Sequence, residues 1–126
     1  MKATKRSRQR SELVSQQRLE ASPPSLPVRV LFFGRDRSSA VTRFVIARIN
    51  RTLHRFHDRI ANVVVRIQDV NGHRGGCDQK CSFELSLVNG QRLYISDLAE
   101  TPRRGISRLL HRTRRLLQER RNHRHR

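Results

Sequence analysis

Acidic side chains are scarce in this chain: 10 Asp and Glu stand against 28 Lys and Arg in 126 residues. Tryptophan is absent, aromatics make up 5% and there are two cysteines. No run of about 18 apolar residues occurs, so nothing in the sequence spans a bilayer. The basic N-terminus is followed by no apolar stretch of a secretory leader, and an intracellular, cytoplasmic protein is expected. The acids of the central segment are scattered, which leaves no paired carboxylates and no nucleophile beside a base. Asp69 and Asp78, flanking a Gly-rich loop, read as turn formers rather than cation ligands. Gly72, Gly75 and Gly76 lack the spacing and the following helix of a Walker or dinucleotide loop. Neither an enzyme, nor a cofactor, nor a small-molecule substrate is expected.

The two cysteines lie in "NGHRGGCDQKCSFELSLVNG", residues 71–90. A zinc site needs four ligands, but the only nearby addition is His73, and His123 and His125 sit in a frayed terminal segment. No metal is expected. An intracellular setting disfavours a disulfide. Cys81 falls on the inward face of a strand and reads as a small buried apolar residue, whereas Cys77, in the loop, reads as the exposed thiol.

What is abundant is positive charge. The formal net charge is +18, which opposes compaction unless a polyanion shares the surface. Residues 101–126 carry ten basic side chains and one acid, a net +9, against +4 for residues 1–25 and +5 for residues 26–100. The opening 25 residues are polar, rich in Ser and Gln, and end near Pro23-Pro24; they read as a flexible basic arm, since a short helix over 11–19 has too few apolar residues to fix it. One folded domain is expected over 26–121, with a basic tail over 122–126.

Within that domain "VRVLFFG" is a first strand closed by Gly34. A first helix follows a Ser N-cap, with Val41, Val45, Ile49, Leu53 and Phe56 on one face. In "IANVVVRIQDV" Val63, Val65 and Ile67 alternate with Val64, Arg66 and Gln68, a half-buried second strand. Cys81, Phe83, Leu85 and Leu87 alternate likewise in a third strand, and Asn89-Gly90 predicts a two-residue type I′ hairpin turn into a fourth strand, "QRLYISDL". Thr101-Pro102 reads as an N-cap and first helical position. The long helix beyond it has Ile106, Leu109, Leu110, Thr113, Leu116 and Leu117 as its apolar stripe, and Gly105 allows close packing near its first turn. The order β-α-β-β-β-α, with a right-handed crossover pairing the first two strands in parallel, predicts an α+β two-layer sandwich: a four-stranded mixed sheet with two helices on one face.

The outer faces of the helices are where a polyanion would meet this chain. Opposite its stripe the second helix carries Arg104, Arg108, His111 and Arg115, with Arg112 on the flank; the first shows Arg43, Asn50, Arg51 and His54, with Arg48 and Arg55 at the margins. A solvated face mixes signs, yet Glu119 is the last helix's only acid. A nucleic acid is therefore preferred to water alone. Anionic lipid is disfavoured because the apolar stripes are taken by the sheet and the last helix has no aromatics to insert.

The residues "RGGCDQKCSFELSLVNGQRLYISDLAETPRRGISRLLHRTRRLL" and the element order carry a resemblance. Over about residues 27–121 the chain resembles the bacterial ribosome hibernation-promoting factor and ribosome-associated inhibitor A family, formerly described as sigma-54 modulation proteins. The matching pieces are Gly75, Gly76, Asp78 and Cys81 leading into the third strand, and the helix after the Leu-Ala-Glu-Thr connection. The resemblance implies a sandwich related in shape to double-stranded RNA-binding domains. It also implies a monomer off the ribosome that binds small-subunit rRNA between head and body, blocks the tRNA and mRNA sites, and silences translation in starved or stationary cells. Carried onto this sequence, the rRNA contacts fall on Arg43, Arg48, Arg51, Arg55, Arg104, Arg108, Arg112 and Arg115. The chain looks like the short type, without the C-terminal domain that pairs ribosomes, and its N-terminal arm is unusual. A general module for double-stranded or structured RNA is the alternative reading; a redox or metal regulator would instead depend on Cys77 and Cys81.

Overall fold

A computed structural model of the protein defines residues 25–70 and 78–124, with side chains described up to residue 120. All but the last residue of the expected arm, the Gly-rich loop with His73 and Cys77, the side chain of His123, and His125 lie outside the described residues. The elements run β1 (Val28–Phe33), α1 (Ser39–Leu53), a short 3-10 turn (His54–Phe56), β2 (Ile60–Asp69), β3 (Gln79–Leu87), β4 (Arg92–Ala99) and α2 (Pro102–Arg124). Sheet order is β1-β2-β3-β4, with β1 parallel to β2 and the other pairs antiparallel. The expected α+β sandwich is the fold found.

Alternation in the strands sets the two faces. Val63, Val65 and Ile67 of β2 and Cys81, Phe83 and Leu85 of β3 are almost wholly buried under the helices, while Val64, Arg66 and Glu84 point to the other side. From the helical layer Val45, Ile49 and Leu53 of α1 and Ile106, Leu109, Leu110 and Leu117 of α2 close the core. Each such side chain contributes roughly 1.5–3 kcal/mol by leaving water. The polar member of the α2 stripe, Thr113, is satisfied by donating its hydroxyl to the Leu109 carbonyl at 2.7 Å.

Both helices begin on the expected caps. Ser38 Oγ accepts from the Val41 amide at 3.1 Å, and Thr101 Oγ1 accepts from the Arg104 amide at 3.2 Å. Three expectations need correction. The first helix stops at Leu53, and Phe56 reaches the core from the 3-10 turn that follows. The last helix runs on to Arg124, three residues into the segment read as a tail. The β3–β4 hairpin is not a two-residue type I′ turn. The Gly90 amide donates to the Leu87 carbonyl at 3.0 Å, which centres the turn on Val88 and Asn89 and leaves Gly90 after it at φ +93°. That is a three-residue loop with glycine in the left-handed position. Asn89 Oδ1 accepts from the Gln91 amide at 2.9 Å and holds the loop in that form.

α1 and α2 lie side by side and point the same way. Near their starts Arg103 of α2 stacks on Phe44 of α1; near the far end Arg59, just beyond α1, donates to the Leu117 carbonyl at 3.1 Å. Gly105 brings α2 down onto the sheet: a Cβ there would stand 2.7 Å from Cys81 Sγ and 3.2 Å from Cys81 Cβ.

Cys81 is a free, fully buried thiol, the apolar core residue that its inward register predicts. Burial, aided by the nearby Asp97 carboxylate and partly offset by Arg35, pushes its pKa up from 9.0 to about 11. The native thiol is therefore protonated and inert to alkylation near neutral pH. Between pH 9.0 and about 11 the unfolded chain releases a proton that the folded chain keeps, so rising pH favours unfolding across that window. Denaturant midpoints compared with those of Cys81→Ala should show a loss of stability there that the variant does not share.

Candidate nucleic-acid interface

The outer surface of the helical layer is built from the flanks and crowns of two amphipathic helices whose stripes are consumed by the core. α1 contains no acid, and α2 contains Glu119 alone. Arg43 and Arg51 on α1 and Arg114 and Arg115 on α2 are exposed, and no carboxylate is described within ion-pair distance of any of them. Arg104 is exposed and pairs with Glu100 at 3.1 Å, four residues earlier. Such an exposed pair contributes little to stability and leaves most guanidinium donors available.

Other residues expected at the interface are engaged with the fold itself. Arg108 donates to the Leu98 carbonyl at 3.1 Å and Arg112 to the Ser96 carbonyl at 3.0 Å. Both carbonyls belong to β4, the edge strand next to α2, so these two side chains lean over the rim of the sheet and satisfy backbone acceptors that an edge would otherwise offer to another strand. Arg48 is half-buried with its guanidinium 5.4 Å from the Phe44 ring centroid, and Arg55 lies over Phe56 at the same 5.4 Å. Asn50, placed among the outward residues by its helical position, instead accepts from the Leu26 amide at 2.6 Å and anchors the lead-in to β1. His54 stacks on His57 with centroids 5.2 Å apart.

The eight arginines thus fall into three groups. Arg43, Arg51, Arg104 and Arg115 stand on the crowns of the helices; Arg48 and Arg55 are packed on rings; Arg108 and Arg112 straddle the border between α2 and β4. Sequence reasoning missed Phe44, Arg103 and Arg114. Arg103 lies with its guanidinium 4.4 Å above the Phe44 ring and joins the two helices. Besides a small hollow of about 160 Å³ lined by Arg112, Arg115, Leu116 and Glu119, two larger ones border α2. One of about 450 Å³ is lined by Phe44, Arg48, Arg103, Arg104, Ser107 and Arg108; the other, about 400 Å³, is lined by Asp97, Ser107, Arg108, His111 and Arg112. They share Ser107 and Arg108. Guanidinium groups suit phosphate because they stay charged and offer paired donors, and a surface of this shape can follow a phosphate backbone without reading bases.

This arrangement of strands and helices is shared with solved structures. The protein superimposes on a ribosomal subunit interface protein from Coxiella burnetii with a TM-score of 0.62 at 15% identity, covering 77% of this chain and 99% of that one. It also superimposes on the N-terminal domain of Protein Y from Thermus thermophilus with a TM-score of 0.53 at 13% identity, covering 72% and 99%. The chain has the fold of these proteins. No family model and no curated protein sequence matches it. At such identities the likeness establishes the arrangement of the backbone, while the charge and contacts described above belong to this chain. Among the described residues no helix is long and apolar enough to cross a membrane, and no group of three or more His, Cys, Asp or Glu is placed to hold a metal ion.

Proposed function

We propose that the protein is a ribosome-associated factor that silences translation. In this reading it binds small-subunit rRNA through the outer face of α1 and α2 and occludes the sites of tRNA and mRNA in the cytoplasm. The observation that carries it is the unbalanced set of exposed arginines Arg43, Arg51, Arg114 and Arg115 on two parallel helices, none with a described carboxylate within ion-pair distance. A merely solvated face gains nothing from such an imbalance, whereas a polyphosphate backbone converts it into affinity through released counterions. The shared fold with a ribosomal subunit interface protein supports the ribosome as the source of that RNA. Occlusion needs no catalytic group.

The test is to mix the protein with ribosomes at moderate salt, follow it through a sucrose gradient, and assay translation at matched stoichiometry. Migration with small subunits or intact ribosomes, and inhibition near one protein per ribosome, is the expected result. Protein left at the top of the gradient that still binds unrelated duplex RNA would overturn the ribosomal reading in favour of a general RNA-binding module.

A further inference from the structure

Phosphate recognition explains the charges on the helical face; it does not explain the aromatic ring among them. Phe44 is only half-buried, at the rim of the core, and two guanidiniums from two different helices converge on it: Arg103 at 4.4 Å and Arg48 at 5.4 Å. Arginine often covers a ring simply to shield it, and Arg55 and Arg59 both lie over the fully buried Phe56; Phe44 differs in being half exposed. Here two like charges share one ring, and the acid nearest in sequence, Glu100, is taken by Arg104. A hollow of about 450 Å³ also stays open beside the stack, walled by Arg104, Ser107 and Arg108. The result is a stacked ring and guanidinium at the edge of a strongly positive, open hollow whose volume is that of a small-ligand site. A regular duplex backbone needs no such surface. Unstacked bases do, since they bind by stacking on aromatic rings and on guanidinium planes.

We propose that this recess receives one unpaired nucleotide of the bound RNA, its base stacked on the Phe44–Arg103 pair and its phosphate held by Arg48 and Arg104. The inference rests on the RNA-binding reading of the helical face and assigns to that face a preferred substrate: a helix interrupted by a bulge or a splayed base rather than a uniform duplex. Ser107, at the wall, offers a hydroxyl that can both donate to and accept from a base edge or a 2′-hydroxyl.

The experiment compares a perfect RNA duplex with the same duplex carrying a single bulged 2-aminopurine. Wild-type protein should bind the bulged RNA roughly tenfold more tightly, the worth of one stacked base, and quench the bulged fluorophore. Phe44→Leu, which keeps an apolar side chain against the core, and Arg103→Lys, which keeps the charge but loses the plane, should each erase the preference and the quenching while leaving duplex affinity nearly unchanged. Should Phe44→Leu fail to unfold cooperatively, the exposed Arg103→Lys variant carries the test alone. Equal affinity of wild type for both RNAs, without quenching, would overturn the recess while leaving the phosphate-binding face intact. Binding to neither RNA would overturn both. Saturation by free AMP at the concentrations at which the bulged RNA binds would overturn the chain-borne nucleotide in favour of a mononucleotide.

Discussion

Replacing Arg43, Arg51 and Arg115 together with alanine is expected to lower the slope of log affinity for RNA against log salt by about three, one unit for each phosphate that is no longer neutralised. Glutamate at the same three positions should remove the protein from the ribosome peak altogether. These residues are chosen because they stand on the crowns of α1 and α2, exposed and with no described carboxylate within ion-pair distance, so the substitutions disturb no described hydrogen bond or ion pair. Arg108 and Arg112 would make a poorer test. Each donates to a carbonyl of β4, so a glutamate there would face a backbone acceptor, and any weakening of binding would mix with a disturbed sheet edge. The outcome that would sink the interface is an unchanged salt slope in the triple alanine variant with unfolding identical to wild type.

Gly105→Ala should destabilise the protein by about 1–3 kcal/mol, the range for overpacking a filled core, although alanine at an ordinary helix position stabilises by about 1 kcal/mol relative to glycine. The sign reverses because the new methyl would lie 2.7 Å from Cys81 Sγ, a short side chain buried on both sides, and 3.5 Å from the Ala99 Cβ. Either α2 lifts from the sheet at its first turns or the sulfur leaves its place. A second change separates these physical causes: Cys81→Ala removes the sulfur, so in that background Gly105→Ala should cost markedly less. The rescue is partial, since the Cys81 Cβ would still be 3.2 Å away. Denaturant unfolding of the four proteins gives the coupling directly. Additive costs would show that Gly105 is there for a reason other than the approach to Cys81.

Much of the fold was legible because burial imposes a period. Val63, Val65 and Ile67 repeat every second residue and α2's stripe every third or fourth, so strands, helices and their inward faces could be read without coordinates. The hairpin was misread because Asn-Gly is a strong local signal, whereas the loop length is set by which residues of β3 and β4 pair across the sheet. Ser86 pairs with Arg92, and that register leaves room for the longer loop. The same reasoning explains the site. A helical wheel ranks residues by their distance from the apolar stripe, which found the crown arginines. It knows nothing of neighbours, so it could not see that Arg108 and Arg112 flank a strand edge, that Asn50 meets Leu26, or that Phe44 and Arg103, both on flanks, face each other. The missed pair carried one faint signal, an aromatic residue on a helix flank followed four residues later by arginine.

The common direction of α1 and α2 follows from counting. Each connection in the sandwich reverses the chain, and three strands lie between the two helices. An odd number of strands restores the original heading, so α2 starts at the end of the molecule where α1 started, and Phe44 and Arg103 can meet. Two added strands would preserve this arrangement; a single extra strand would turn α2 around and place Arg103 at the opposite end from Phe44, whatever its sequence. The polarity of the interhelical groove is thus a matter of parity, protected against changes in side chains and loop lengths and vulnerable only to a change in the number of strands.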